Sequence, residues 1–290
     1  MTTTWKIERL SGAIGAEISG VALAKVSRED IAHIKDLLVE HMVLFFPGQN
    51  LSIDQHVEFG SYFGEVEGHP NISNPYTQHD KIFELNGVAN EWHTDLTFQD
   101  NPALLSVLNM VRCPEVGGDT MWCNLVAAYE AMSAPMQSLC DGLSALHDAL
   151  PHNKPELMAI HPVVRLHPDT GKRALYVNEH FTRRIVEMNA SESQVLLKYL
   201  CDWVSRPEFT VRYRWSEGAV GMWDNRCTQH FVVNDFEGER VVQRVTIMGD
   251  KPESDKPTKW PRFARSERGV ASSRHDRQLL QFLESESDSQ

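Results

Sequence analysis

Residues 240–249 read RVVQRVTIMG, the longest strand-like run in this chain of 290 residues. The run is rich in β-branched side chains and ends at a glycine, a composition typical of a β-strand. Alternate residues of a strand share one face, so Arg240, Val242 and Arg244 would point the same way. If that face is exposed, the arginines are ordinary surface residues. If it is buried, the two guanidinium groups need partners and are suited to bind carboxylates or sulfonates.

Five shorter runs have the same character and are bounded by Gly, Pro, Asn or Asp. They are MVLFF (42–46), LLSVLNMVR (104–112), ALYV (174–177), FTVRYRW (209–215) and AVGMW (219–223). These runs do not alternate strictly with helical segments, so a doubly wound parallel sheet fits poorly. The pattern favours a mainly β protein, a largely antiparallel sandwich or barrel with helical insertions.

Four other segments have apolar residues at helical spacing. They are IAHIKDLLVEH (31–41), IDQHVEFGSYFG (53–64), LVAAYEAMS (125–133) and ESQVLLKYLCDWV (192–204). Ser27, Ser52 and Ser191 precede three of them as candidate N-caps. The helix that begins at residue 125 is expected to run on through PMQSLCDGL (135–143).

The whole chain has the composition of an ordinary globular protein, with 41% hydrophobic and 23% charged residues. We predict one domain over residues 1–252, followed by a charged C-terminal extension over residues 253–290 that ends in a partly flexible tail. The net charge of −12 argues against a broad nucleic-acid surface, so no nucleic-acid partner is expected.

The five cysteines include no C-x-x-C pair, which indicates neither a disulfide framework nor a zinc knuckle. The N-terminal MTTTWKIERL lacks the apolar core of a signal peptide, and no stretch reaches the length of a membrane span. We therefore expect a cytoplasmic protein with no membrane partner.

A candidate pair of metal ligands lies in NEWHTDLTFQD (90–100). If this segment is an extended strand, His93 and Asp95 project from the same face. Such pairs are common by chance, and a third ligand must come from elsewhere. His230, after the turn signal in MWDNRCTQHF (222–231), is the best candidate. Two histidines and a carboxylate can hold Fe(II) or a catalytic zinc, so the ligand types leave both metals open.

Four motifs, in this order along the chain, resemble the taurine dioxygenase (TauD/TfdA) family of Fe(II)- and 2-oxoglutarate-dependent dioxygenases. They are Trp92 to Asp95, Gly117 to Thr120, Trp223 to His230, and Arg240 to Arg244. The resemblance covers roughly residues 5–252. It implies a double-stranded β-helix (jelly-roll) with helical insertions, which agrees with the strand pattern.

The resemblance also implies a cofactor and an activity. His93, Asp95 and His230 would bind Fe(II), while Arg240 and the Thr120 hydroxyl would hold the far carboxylate of 2-oxoglutarate. With O2, such an enzyme would hydroxylate a substrate carbon and produce succinate and CO2.

A substrate site follows from the same resemblance. Arg244 would face the acidic group of the substrate, and His69, Leu96, Phe98 and Phe181 would line its pocket. The implied substrate is a small organic anion, either a sulfonate such as taurine or a carboxylate.

Two polar positions of the family differ here, and one segment is short. A family tyrosine falls at about Ile72 and a family asparagine near Ala89. Loss of those groups would discriminate against a substrate amine, because the amine would be left without partners. The segment HDALPHNKPELMAIHP (147–162) stands where relatives often carry a longer lid, which implies a differently shaped pocket.

Two other interpretations compete with an oxygenase. A zinc-dependent hydrolase could use the same three ligands to activate water, although it has no need of the arginine pair. A non-catalytic sensor could bind a small anion on the same scaffold, although the complete ligand set argues against it. The resemblance also favours a homo-oligomer.

Overall fold

The computed structural model describes residues 5–68, 79–86, 89–262 and 277. Most of its regular structure is β. The strands are β1 (Lys6–Arg9), β2 (Ala16–Ser19), β3 (Val43–Phe46), β4 (Val66–Glu67), β5 (Phe83–Asn86), β6 (Ala103–Arg112), β7 (Thr120–Asn124), β8 (Ser144–Ala149), β9 (Lys154–Pro162), β10 (Val164–Leu166), β11 (Arg173–Leu175), β12 (Thr182–Ile185), β13 (Thr210–Tyr213), β14 (Val220–Asp224), β15 (Thr228–Val232) and β16 (Val241–Met248). The α-helices are α1 (Arg28–His41), α2 (Ile53–Ser61), α3 (Leu125–Glu130), α4 (Ala134–Cys140) and α5 (Ala190–Val204).

The largest sheet has the strand order β1-β2-β3-β14-β6-β16-β4, and β5 also pairs with β16. Three smaller sheets have the orders β13-β7-β15, β12-β8-β9 and β10-β11. Among the strands described, only β2 and β3 pair in parallel. The predicted mainly β, largely antiparallel architecture with helical insertions is therefore confirmed.

An aromatic core joins the largest sheet to the β13-β7-β15 sheet. Phe45 on β3 stacks on Tyr213 of β13, with ring centroids 3.8 Å apart. The same phenyl ring meets Trp122 of β7 edge-on at 5.1 Å. Burial of such large rings between two sheets is the main stabilising term of a sandwich. The two sheets therefore pack face to face, with the functional residues described below at their interior.

Helices α1 and α2 pack on the other face of the largest sheet through a cluster that includes Ile34 and Phe59. Ser27 and Ser52 cap them as predicted, each in a capping box in which side chain and backbone bond reciprocally. The predicted start of α5 after Ser191 was wrong, since Asn189 caps the helix and accepts from two backbone amides.

The segment predicted as one long helix from residue 125 is two short ones. Helix α3 ends at Glu130, and α4 begins again after Ser133 with Pro135 in its first turn. A proline is tolerated there because the amide it lacks would have no helical partner.

All six strand-like runs overlap a strand, but several strands were missed. Strands β8 and β15 bury polar side chains such as His147, Gln229 and His230. Their faces therefore lack the apolar alternation on which strand prediction depends.

The C-terminal extension contacts the domain where it is described. Leu166 donates its amide to the Glu253 carbonyl, and Arg173 forms an ion pair with Asp255 at 2.6 Å. The tail predicted to be partly flexible falls mostly on residues 263–276 and 278–290, which lie outside the described residues. The domain boundary at residue 252 stays a prediction. In the described ranges, no helix combines the length and apolar character needed to cross a bilayer.

Candidate active site

His93 and His230 face each other across a reciprocal pair of backbone hydrogen bonds. The His93 amide donates to the His230 carbonyl at 3.1 Å, and the His230 amide donates back at 2.8 Å. The two imidazole centroids are 4.0 Å apart. His230 belongs to β15, so the backbone pairing alone brings the first and the third predicted ligand together over 137 residues of chain.

Asp95 reaches the same place from a turn. His93 makes only an isolated β-bridge, and a turn begins at Asp95, so the pair does not lie on the extended strand that the alternation argument required. Leu96 follows with a φ of 59°, in the left-handed region. The His93 and Asp95 side chains converge because the chain turns after His93, and not because alternate residues of a strand share one face.

The three side chains fit a divalent metal. His93, Asp95 and His230 are all buried, and one donor atom from each lies within 4.8 Å of the other two. His93 Nδ1 lies 2.8 Å from the Glu91 carbonyl, which is an acceptor, so this nitrogen carries the proton. The lone pair of His93 is thereby placed on Nε2, as in metal sites whose ligands are oriented by a backbone carbonyl.

The electrostatics of the pocket favour the protonation states that a metal requires. Burial, reinforced by His230, holds the pKa of His93 well below its usual value, and burial lowers the pKa of His230 to about 4. Burial alone would raise the pKa of Asp95, but Arg244 and the two histidines outweigh it and hold this pKa below its usual range. At neutral pH the site therefore presents two neutral imidazoles and one carboxylate.

A chain of hydrogen bonds supports the Asp95 carboxylate. Ser106 on β6 donates to Asp95 Oδ2 at 2.7 Å, and Asn225 donates to Ser106 Oγ at 2.9 Å. Asn225 Oδ1 accepts from the Asp95 amide at 3.3 Å and from Trp223 Nε1 at 3.1 Å. Sequence reasoning gave Ser106 no role, although a serine buried within the apolar run LLSVLNMVR is a signal that could have found it.

Arg244 lies at the centre of the site. Its Nη1 donates to Asp95 Oδ1 at 2.6 Å, and its guanidinium carbon lies 5.5 Å from the centroid of the Phe83 ring. Arg240 and Arg244 are 2% and 7% exposed, so the alternative in which both arginines are buried is confirmed, although Arg240 lies just before β16.

Arg240 differs from Arg244 in its partners. Its Nε donates to the Gly118 carbonyl at 2.9 Å and its Nη2 to Thr120 Oγ1 at 3.2 Å. No carboxylate of the described residues lies within ion-pairing distance of it. Burial lowers the pKa of Arg240 to about 10, so the group remains a cation at neutral pH. A buried cation beside a hydroxyl, with no anionic partner of its own, is suited to receive an anion.

The glycine at 118 is required for this approach. A Cβ there would lie 2.9 Å from Pro114 and 3.2 Å from the Arg240 side chain, and its φ is 68°. Only glycine adopts this positive φ readily and also leaves room for the Arg240 side chain at this distance.

An apolar wall lies beside the histidines. Leu96, Phe98 and Phe181 pack in one buried cluster with Ala103 and Ala149. Phe98 and Phe181 are 5.2 Å apart between centroids, and Phe181 meets the His93 ring edge-on at 6.3 Å.

Two further histidines, which sequence reasoning missed, join this wall. They were missed because they come from segments that are distant in the chain. His152 packs against both phenylalanines, and His180 lies 5.4 Å from the His93 ring. Of the predicted site residues, His69 lies outside the described residues.

Comparison with known proteins identifies this arrangement. The model of the family described as taurine catabolism dioxygenase TauD, TfdA family, matches residues 6–246. The chain belongs to the TauD/TfdA family. It is 38% identical over 276 residues to the alkylsulfatase of Acinetobacter baylyi, covering 86% of each chain. It is also 38% identical over 274 residues to the alpha-ketoglutarate-dependent sulfate ester dioxygenase of Pseudomonas putida, covering 85% of this chain and 90% of the relative. The crystal structure of a taurine dioxygenase from Burkholderia xenovorans superposes with a TM-score of 0.79 at 37% identity, covering 89% and 94% of the two chains.

A second group of metal-type side chains in this TauD/TfdA chain already has protein partners. Asp224 lies near Cys227, but its carboxylate accepts from Arg226 at 2.6 Å and lies 3.1 Å from His167 Nε2. Arg226 also pairs with Asp169 at 2.7 Å. Both nitrogens of His167 are hydrogen-bonded, Nε2 to Asp224 and Nδ1 to the Asp169 amide, so this imidazole offers no lone pair to a metal. The cluster ties β14 to the loop after β10 and is structural.

Proposed function

We propose that the protein is an Fe(II)- and 2-oxoglutarate-dependent dioxygenase that hydroxylates a small organic anion and produces succinate and CO2. The observation that carries the proposal is the buried set of His93, Asp95 and His230, with two buried arginines nearby, Arg244 on β16 and Arg240 just before it. The named relatives at 38% identity include an alpha-ketoglutarate-dependent enzyme. Neither the family nor these relatives support the zinc-dependent hydrolase, and the arginine pair would have no use there.

His93, Asp95 and His230 would hold the iron, since two imidazoles and a carboxylate on one side leave further positions open. When bound, the iron with its 2-oxoglutarate and O2 supplies the oxidising power that breaks a substrate C–H bond. Arg240 and Thr120 would hold the far carboxylate of 2-oxoglutarate by a charge-assisted pair and a hydroxyl. The Gly118 carbonyl accepts a hydrogen bond from Arg240 Nε and so orients the Arg240 side chain.

Arg244 would receive the acidic group of the substrate, and the wall of Leu96, Phe98 and Phe181 would contact its organic part. We favour a sulfate ester or sulfonate with an apolar carbon chain over taurine. The relatives named above include two that act on sulfate esters by name. Ala89, which offers no side-chain hydrogen bond, lies beside β15 through the bond from the Val232 amide to its carbonyl at 2.9 Å. A substrate amine would therefore lack a partner at that position.

For a sulfate ester the reaction balances simply. Hydroxylation of the carbon that bears the ester oxygen, with one oxygen atom from O2, gives an unstable sulfated hemiacetal. Its C–O bond to sulfate breaks as the hydroxyl loses its proton, which yields an aldehyde, sulfate and a proton. The other oxygen atom enters succinate as 2-oxoglutarate loses CO2. The sulfur is not reduced, so no further reductant is required.

The same proposal covers the topology of the fold, the cellular location, the oligomeric state and the C-terminal extension. The face-to-face packing of the largest sheet on β13-β7-β15 supports a double-stranded β-helix. We also propose a cytoplasmic location, on the basis of the sequence, and a homo-oligomeric state, on the basis of the family resemblance. Residues 253–290 form the proposed extension of the dioxygenase domain over residues 1–252.

The test is succinate release with purified protein, Fe(II), 2-oxoglutarate and a panel of candidate substrates. The panel comprises alkyl sulfates, alkyl sulfonates, taurine and aryloxyalkanoates. We expect release stimulated most strongly by an alkyl sulfate, with one sulfate formed per succinate. Stimulation by taurine alone would contradict the substrate assignment, and no stimulation of 2-oxoglutarate turnover by any anion would contradict the reaction class.

A further inference from the structure

The turn that carries Asp95 is held by hydrogen bonds from the small sheet β12-β8-β9. The chemistry proposed above assigns no role to this sheet. His161 on β9 directs its Nε2 at two carbonyls of this turn, 2.9 Å from Thr97 O and 3.0 Å from Gln99 O. Because both partners are acceptors, this nitrogen carries the proton and donates to both. His161 is 1% exposed, and burial lowers its pKa to about 4, so its ring is neutral at pH 7.

A second set of contacts holds the Thr97 side chain. Asn178 donates from Nδ2 to Thr97 Oγ1 at 3.1 Å, and His147 Nδ1 on β8 lies 3.0 Å from the same oxygen. Asn178 Oδ1 also accepts from the Phe181 amide at 2.8 Å. All of these side chains are buried, so water cannot replace a contact that is lost.

The turn needs such support because Leu96 has a φ of 59°. A branched side chain rarely adopts this conformation, and it persists only where surrounding contacts impose it. Asn225 accepts from the Asp95 amide at one end of the turn, and His161 donates to the carbonyls at the other end. If either end is released, we expect Leu96 to relax toward a commoner conformation and the Asp95 carboxylate to move with it.

We propose that His161 is a positioning residue for the metal centre, which fixes the Asp95 carboxylate by holding the carbonyls of Thr97 and Gln99. The sheet β12-β8-β9 is then a brace for the metal-binding turn. This sheet includes the segment 147–162 that the sequence suggested was a shortened lid. The inference rests on the proposed function in one respect only, that Asp95 binds a metal.

The experiment measures equilibrium binding of Mn(II) alone to the metal-free protein, by the electron paramagnetic resonance signal of free Mn(II). In His161→Leu the two carbonyls lose their donor, and we expect the dissociation constant to rise about tenfold or more. In His161→Gln the amide nitrogen can take the place of Nε2, so affinity should stay within about threefold of the wild type. An affinity of His161→Leu equal to that of the wild type would overturn the inference.

Gln49→Leu is the matched control for lost stability. Gln49 Nε2 likewise donates to two backbone carbonyls, those of Val21 and Pro47, at 3.1 Å each. We expect this variant to lower the melting temperature while Mn(II) affinity stays unchanged. A loss of affinity in Gln49→Leu equal to that in His161→Leu would show that the effect is one of general stability, and would overturn the inference.

Should His161→Leu fail to fold, Thr97→Val and Thr97→Ser carry the test. The valine removes the hydroxyl that Asn178 and His147 contact, and the serine keeps it. Weaker Mn(II) binding in the valine variant alone supports the brace, and equal binding in both overturns it. Wild-type Mn(II) binding that survives His93→Ala would instead contradict the proposed function, so the two failures are distinguishable.

Discussion

Arg244 donates to Asp95 Oδ1 at 2.6 Å, so the cation proposed to receive the substrate is also the partner of a proposed iron ligand. Both side chains are buried, and neither is exposed beyond 7%. The ion pair holds the carboxylate deprotonated although burial opposes this. The ion pair leaves Arg244 Nε without a partner among the described residues, so this donor is available to an anionic substrate.

Replacement of Arg244 by alanine is expected to lower kcat/KM for the anionic substrate by about 30-fold or more. A charge-assisted hydrogen bond contributes about 2 kcal/mol, and each 1.4 kcal/mol is a factor of about ten. The measurement is the initial rate of succinate release against substrate concentration. Arg206→Ala, which removes an exposed arginine paired with Glu208, is the control and should behave as the wild type. Equal loss in both variants would exclude a specific role for Arg244.

Arg240 is expected to set the requirement for 2-oxoglutarate. Arg240→Ala should raise the KM for 2-oxoglutarate by about 100-fold, because a buried anion loses its only cationic partner. Arg240→Lys should have an intermediate effect, since it keeps the charge and loses the fork of donors. The rates are measured at saturating substrate and varied 2-oxoglutarate. An unchanged KM in the alanine variant would refute the assignment.

Ser106→Ala is expected to weaken Mn(II) binding about tenfold, because the hydroxyl that orients Asp95 is lost. Tyr213→Phe is the control, since Tyr213 likewise donates its hydroxyl to a carboxylate, that of Glu17, outside the metal site and its brace. Isothermal titration of the two metal-free variants gives the comparison. If Tyr213→Phe loses as much affinity as Ser106→Ala, the supporting role of Ser106 is wrong.

Buried histidines make the metal-free protein sensitive to acid. Burial lowers the pKa of His56 from 6.5 to about 4, and it is 0% exposed. Between these two pH values the unfolded chain binds a proton there that the folded chain does not, so stability falls as pH falls from about 6.5. His152, His161 and His230 are shifted in the same direction and add to the slope.

His56→Gln should make that slope shallower. Glutamine can still donate to the Val107 carbonyl, which His56 Nε2 contacts at 2.9 Å, but it does not titrate. We expect the free energy of unfolding to lose about 1.4 kcal/mol less per pH unit between pH 6 and 5 than in the wild type. Denaturant unfolding at a series of pH values measures it. An unchanged slope would show that unfolding is not accompanied by proton uptake at His56.

The strand pattern and four short motifs predicted much of this molecule. The run RVVQRVTIMG became β16, and its two arginines proved to be buried. The three proposed ligands lie in one cluster as predicted, although Asp95 lies in a turn and not on the strand considered for this pair. The error has a physical cause, because alternation in HTD cannot distinguish a strand from a bend stabilised by distant groups such as Asn225.

The supporting residues could not be predicted in the same way. His161, Asn178 and Ser106 act through one or two hydrogen bonds to a turn outside their own segments. Such bonds depend on tertiary contact and leave no periodic trace in the sequence. The polar strands β8 and β15 were missed for a related reason, since their buried faces carry the side chains of the site and its brace.

The binding of Fe(II) by His93, Asp95 and His230, together with 2-oxoglutarate, is tested most directly by visible absorption spectroscopy. The spectrum is recorded from the protein with Fe(II) and 2-oxoglutarate under anaerobic conditions. We expect a weak charge-transfer band that is absent from His93→Ala and shifted or diminished in Arg240→Ala. No band in the wild type, with the site fully loaded by zinc instead, would contradict it.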